Sequence, residues 1–376
     1  MKQLLVIAVA LASVNAFATR ARVNALGNSP HLIDTQTVYG NPADMFFVGG
    51  DYVTIETGKT AATGLNDGAE GMVVRSMGDA KMGLSLGHDS DVALQQRTSV
   101  MTAASAACPT CQNLFSSAVN KFQQNPIELT YGMKTGDMAW AGTFVYSNYK
   151  SKTGINEKED SMGIRAGLRM GALDAKLGLG LANNYQNDTD GKFKGTLSAS
   201  IGAGYSMDNL YFNGFFRQAG WKTENAAGTE TAKIDYNTIQ ANVTSSHKKD
   251  GSEFFYGAGL ANSTTKNGTA PEVKATSLTL PVWMGLEVDA ASWAVLRGSI
   301  TQTVLINDSK KETTPAAGGD YEFSPGANNT VVNVGAGIKF NKITLDGSLE
   351  GLSGGAATQQ LNGITLLGSV GMTYMF

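Results

Sequence analysis

Residues 363–376 read GITLLGSVGMTYMF. Taken in twos, Ile364, Leu366, Val370, Met372, Tyr374 and Phe376 share one face with Gly368. Thr365, Ser369, Gly371 and Thr373 share the other, which Leu367 interrupts. A period of two marks a strand with one apolar and one small-polar face. In a soluble sheet the apolar face packs a core. In an outer-membrane barrel it meets lipid, and the polar face lines the lumen.

The interior of the chain decides between these. In EDSMGIRAGLRMG (159–171), Met162, Ile164, Ala166, Leu168 and Met170 alternate with Gly163, Arg165, Gly167 and Arg169. Two arginines beside glycines suit neither lipid nor a soluble core, but they suit a watery lumen. The next strand sets Ala175, Leu177, Leu179 and Leu181 against Lys176, Gly178 and Gly180. The same alternation gives the inward basic candidates Lys81, Lys134, Arg165, Arg169, Lys176, Arg297 and Lys339, and the acidic ones Glu128, Glu287, Asp346 and Glu350. Arg165, Arg169 and Lys176 fall on neighbouring strands, so one wall should be positive. The expectation is weak anion preference, or a transverse field if the acids face that wall.

The connections alternate too. Short ones, such as SMGDA, TGDM, GALD, SMDN, HKKDGS, DAAS and NK, take turns with long polar ones. Short periplasmic turns and long extracellular loops are the habit of outer-membrane barrels. The pattern predicts an all-β antiparallel barrel over 46–376 with about 16 strands, or 14 if the first hairpin is lost. The first strand should begin near Phe47. Tyr52, Trp140, Tyr211, Trp221, Trp293 and Tyr374 lie near strand ends and are expected to form interfacial girdles.

Composition agrees. There are 45 glycines in 376 residues but 8 prolines, which suits many strands with crowded faces. A net charge of -3 gives no nucleic-acid signal. Lys2, the apolar run Leu4–Val14 and Ala16-Phe17-Ala18 read as a cleaved signal peptide over 1–18. No catalytic residue, metal site or cofactor is called. The three histidines, His31, His88 and His247, map to different levels of the barrel. No G-x-S-x-G or H-E-x-x-H occurs.

The long segment 88–126 falls on the extracellular side. Leu114, Ala118 and Phe122 give it a helical apolar face. It would fold into the pore, cap the mouth or decorate the surface. Cys108 and Cys111 form C-P-T-C, read as a local disulfide because the chain is exported and no second pair completes a zinc site.

The closing strand, with Tyr374 and the terminal Phe376, resembles that of Gram-negative outer-membrane barrels. That likeness implies recognition by the barrel-assembly machinery and residence in outer-membrane lipid. By resemblance to porins of this size, a homo-oligomer is implied. A second likeness lies in 19–45, read as a periplasmic lead-in or a hatch. Ala21, Arg22, Leu26, Gly27, Asp34 and the run Asn41-Pro42-Ala43 resemble the N-terminal segment of the long-chain fatty-acid transporter family, where it folds into the lumen as a hatch. That family usually has about 14 strands and a longer plug. The Gly-rich chain with its short NPA leader also resembles the major outer-membrane protein of predatory deltaproteobacteria. The sequence thus points to a porin that passes ions and small hydrophilic solutes. A channel for hydrophobic molecules and a closed structural or adhesive barrel are the alternatives.

Overall fold

The alternation closes on itself. The computed structural model describes residues 19–57, 69–88, 126–154, 156–189, 191–267, 273–307, 309–313, 321–323, 329–349 and 368–376. Its strand segments are β1 (Tyr52–Thr57), β2 (Glu70–Met77), β3 (Ala80–Leu86), β4 (Ile127–Thr135), β5 (Met138–Ser151), β6 (Glu157–Met170) and β7 (Leu173–Asn187). They continue as β8 (Gly191–Gly195), β9 (Ser198–Met207), β10 (Leu210–Glu224), β11 (Glu230–Lys249), β12 (Ser252–Asn267) and β13 (Val273–Ala291). The last are β14 (Ala294–Asn307), β15 (Ser309–Thr313), β16 (Tyr321–Phe323), β17 (Asn329–Phe340), β18 (Ile343–Leu349) and β19 (Ser369–Met375).

All belong to one antiparallel sheet. β8 with β9, β14 with β15, and β16 with β17 each lie along one course and pair with the same neighbours. The barrel therefore has sixteen strands. β1 pairs with β19 from Tyr52↔Met375 to Thr57↔Val370, which closes the cylinder and leaves no free edge. All seven short connections form tight turns at one end. Gly78, Gly136, Gly171, Asp208, Asp250 and Asn341 there take positive φ.

Burial is inverted relative to a soluble protein. Leu129, Ile201, Ile239, Leu260 and Met284 are exposed, while Glu128, Glu159, Asp346 and Thr373 are buried. Alternation slips once in a way that matters below. Between β6 and β7 the register shifts between Met162 and Gly163, so Gly163 faces Gly180 and Met162 faces Ala182. The buried set on β7 beyond the shift is Asn183, Tyr185 and Asn187.

Two sequence expectations, the first strand and the girdle, are corrected. The first strand starts at Tyr52, not near Phe47, because Pro42–Phe46 winds into a 3-10 turn capped by the Asn41 side chain at 3.2 Å from the Ala43 nitrogen. Tyr52 and Trp221 are fully buried, Tyr52 in an apolar cluster with Val38, Met45 and Val48, and Trp221 stacked on Phe193. Tyr211 turns its hydroxyl to Asp174 at 2.9 Å. These three rings serve the interior, while Trp140, Trp293 and Tyr374 remain on the outer face. The signal peptide, most of segment 88–126 with Cys108 and Cys111, and Glu350 lie outside the described residues.

Residues 19–51 occupy the lumen. Helix α1 (Arg20–Ala25) packs on β14, β17, β18 and β19. The Pro42–Phe46 turn packs on β4, β5 and β6, across the barrel. Gly27, at φ +66, reverses the chain after α1. The lumen wall is cut to receive this segment. A Cβ on Gly371 would strike Thr19, one on Gly335 would strike Ala25, and one on Gly167 would strike Asn41 and Ala43. Overpacking of this kind costs about 1–3 kcal/mol. Gly371→Leu should therefore leave the barrel folded, judged by heat-modifiable migration in gels. It should also speed trypsin cleavage after Arg20 or Arg22 by about tenfold or more, since each ~1.4 kcal/mol is a factor of ten. Unchanged cleavage would mean that Thr19 does not dock on Gly371.

Candidate functional site

The inner surface is a set of charge pairs between wall and lead-in. Arg22 is at the centre of the largest. Its Nη1 donates to Asp34 at 2.8 Å, and its Nε and Nη2 donate to Glu287 at 2.7 and 3.0 Å. Arg297 reaches the same Glu287 through Nε at 2.5 Å and Asp346 through Nη1 at 2.5 Å. Two guanidinium groups thus serve three carboxylates, an odd charge in a closed space. Of the three carboxylates, Asp34 belongs to the lead-in. Burial pushes its carboxyl up to about 6, against the pull of Arg22.

A second set sits on β1 and β2. Arg20 Nη2 donates to both oxygens of Glu70 at 2.6 and 2.7 Å, and its backbone nitrogen donates to Glu56 at 2.7 Å. Gln36 bridges Glu56 and Glu70 at 2.7 and 2.8 Å. His88 lies 2.9 Å from Glu70 and stacks on Tyr39, with ring centroids 3.5 Å apart. A third set pairs Arg169 with Asp44 of the lead-in and Arg165 with Glu128.

All ten described candidates for the inner lining have inward parity. Lys81 donates to the carbonyls of Met45 and Gly50 at 2.9 and 2.8 Å, which ties the end of the lead-in to β3. Lys339 pairs with Asp289 at 2.8 Å, and Lys134 lies over the Phe47 ring at 5.1 Å. The positive wall expected from Arg165, Arg169 and Lys176 is altered accordingly, because both arginines carry a carboxylate. Asn41, Pro42 and Ala43 are buried against β6. The sequence reading missed Glu56 and Glu70. The same alternation, extended to β1 and β2, would have found both on the inward face.

The lead-in does not fill the whole lumen. Its contacts run over β14, β17–β19 and β1–β6, and it meets β12 through His31 and β13 through Arg22. The sector from β6 to β10 is left facing a crescent-shaped cavity of about 170 Å³. Tyr39 and Gly40 bound it on the lead-in side. Arg165, Lys176, Arg217 and Ser200 are among the wall residues.

His31 links Ser29 and Glu253. Its Nδ1 is 2.9 Å from Ser29 Oγ, and its Nε2 is 3.0 Å from Glu253. Ser246 donates to the same Glu253 oxygen at 2.6 Å. The order is that of a hydrolytic relay, but Ser29 is 4% exposed, so its hydroxyl is closed to a substrate. The arrangement clips the lead-in to β12.

No protein-family model matches the chain, and no curated protein sequence matches it. Among solved structures, the CymD monoaromatic hydrocarbon channel is similar at 10% identity over 96% of this chain and 98% of that one, with a TM-score of 0.40. The Ralstonia pickettii toluene transporter TbuX is similar at 8% identity, with 96% and 99% covered and a TM-score of 0.39. OmpT of Vibrio cholerae, in trimer form, is similar at 10% identity, with 86% and 97% covered and a TM-score of 0.35.

Asp34 gives the lead-in a pH response. Its carboxyl faces Arg22 and Thr35 and, at longer range, Asp346. The docked form holds a proton between about pH 4, the free carboxyl range, and about 6. Docking should therefore weaken as pH rises through that window and level off above it. A spin label at Asn28→Cys, with Cys108 and Cys111 replaced by serine, should gain mobility over that range. The change should vanish in Asp34→Asn. A response that survives Asp34→Asn belongs to another group.

Proposed function

We propose that this protein is an outer-membrane barrel acting as a narrow passive channel, in which small solutes diffuse along the crescent between the lead-in and β6–β10. The observation that carries this reading is the lead-in's grip on opposite walls. α1 is seated against β14 and β17–β19, and the Pro42–Phe46 turn against β4–β6. A wide water-filled pore does not fit that arrangement. The outer face, with Leu129, Ile201, Leu260 and Met284 exposed, suits hydrocarbon. Tyr374 and Phe376 stack at 6.1 Å on that face, where the assembly machinery would meet them. Selection would follow from the width of the crescent and the polar groups along it.

A second reading, passage of apolar molecules, is favoured by Val145 and Phe215 in the same cavity. Bilayer recording and solute uptake into vesicles separate the two. The polar channel admits small hydrophilic solutes, while the apolar route carries hydrocarbons without ion current.

The refolded chain in a planar bilayer should give small conductance steps. Arg22→Met should enlarge them, because it leaves Asp34 and Glu287 without their shared cation. Breaking one side of a buried pair costs about 3–5 kcal/mol, enough to release the lead-in. Large ohmic steps from the unaltered chain would overturn the restricted lumen. Ile164→Arg should lower stability in lipid vesicles by about 2–4 kcal/mol if β6 crosses the hydrocarbon midplane there. An unchanged urea midpoint would show that this face does not meet lipid.

A further inference from the structure

Charges at the lead-in interface are matched in pairs. Those facing the crescent are matched less completely. Lys176, on β7, has no hydrogen-bond or ion-pair partner among the described residues. The carboxylate that feels its charge is Asp44, which is already held by Arg169. Arg165 gives Nη2 to Glu128, while its Nη1 has no hydrogen-bond partner among the described residues. Arg217 brings a third cation from β10. Among the described residues, no aspartate or glutamate lines this cavity.

The cavity is also shaped to stay open. It lies where the β6–β7 register shifts and where Gly163, Gly178, Gly180 and Gly202 thin the wall. A Cβ on Gly178 would stand 2.6 Å from Ser200 Oγ, and one on Gly202 would stand 3.0 Å from the Lys176 stem. Side chains there would fill the space or push the lysine aside. Hydroxyls of Ser198 and Ser200 lie beside the cations, while Val145 and Phe215 supply apolar surface. A bare inorganic anion would leave that surface against water. A neutral hydrocarbon would make no use of the Lys176 ammonium, which is exposed to the lumen.

We infer that the crescent is a binding site for small organic monocarboxylates, with the carboxylate at Lys176 and Arg165 and a compact apolar body against Val145 and Phe215. The inference rests on the reading of the crescent as the solute path. Binding is measurable without transport, so the two can fail separately.

The probe is 4-fluorobenzoate, followed by 19F NMR on the refolded full chain in micelles. Empty micelles are the blank, and neutral 4-fluorobenzamide is the matched control. Saturable binding of the acid, well above that of the amide, is expected. Lys176→Gln should weaken it about tenfold or more, the usual effect of losing a charged hydrogen-bond donor. Gly178→Val, which fills the cavity without touching charge, should abolish it. Lys339→Gln, paired elsewhere with Asp289, should leave it unchanged. Equal binding of acid and amide, or acid binding indifferent to both Lys176→Gln and Gly178→Val, would overturn the site. Either result alongside small bilayer steps would remove the carboxylate site and leave the channel reading standing.

Discussion

A closed sheet that turns its apolar side outward inherits a polar inside, and that constraint organises everything else. Charges in a confined space must be hydrated or paired. Here the lead-in supplies the pairs. Arg20 meets Glu70, Arg22 meets Glu287, and Asp44 meets Arg169. The segment is therefore held by charge matching around two modest apolar clusters, Val38–Met45–Val48 with Tyr52 and Leu26–Leu32 with Phe255 and Trp283. This differs from the packing of a soluble core, in which removal of the insert would expose greasy surface. Withdrawal of this lead-in would expose the carboxylates of Glu56, Glu70 and Glu287 along with the rings of Tyr52, Phe255 and Trp283. The lead-in is thus held to the wall by ion pairs as much as by apolar contact.

Much of the barrel was legible because its period is local. Each strand declares its faces within its own length, and six of the seven tight turns declare themselves by Gly, Asp or Asn at positive φ. The closing strand, quoted first, has its predicted parity: Ser369 and Thr373 are buried, and Val370 and Tyr374 are exposed. The girdle was half legible. Alternation assigns a ring to a face, but attention to strand ends alone placed Tyr52, Tyr211 and Trp221 outside when parity puts them inside.

The plug's partners were not legible, and the reason is distance along the chain. Arg22 and Glu287 are 265 residues apart, and Arg169 and Asp44 are 125 apart. No periodicity connects such positions. What the sequence does hold is their steric shadow. Inward glycines at 167, 335 and 371 stand where a larger residue would have kept the lead-in away. High glycine content in a barrel can therefore be read as room made for something, not merely as crowding between strands.

The same logic separates the two kinds of glycine in this lumen. Those at 167, 335 and 371 are occupied by Asn41, Ala25 and Thr19. Those at 163, 178, 180 and 202 border a cavity, and the neighbours of 178 and 202 are Ser200 and Lys176, which belong to the wall itself. The lead-in passes along one side of the lumen and leaves the other sector open. Arginines beside the first group, Arg169 and Arg297, are tied to carboxylates. Beside the second group, Lys176 is not. A wall that is filled and neutralised where the lead-in docks, yet hollow and cationic where it does not, divides one lumen into a filled sector and an open one.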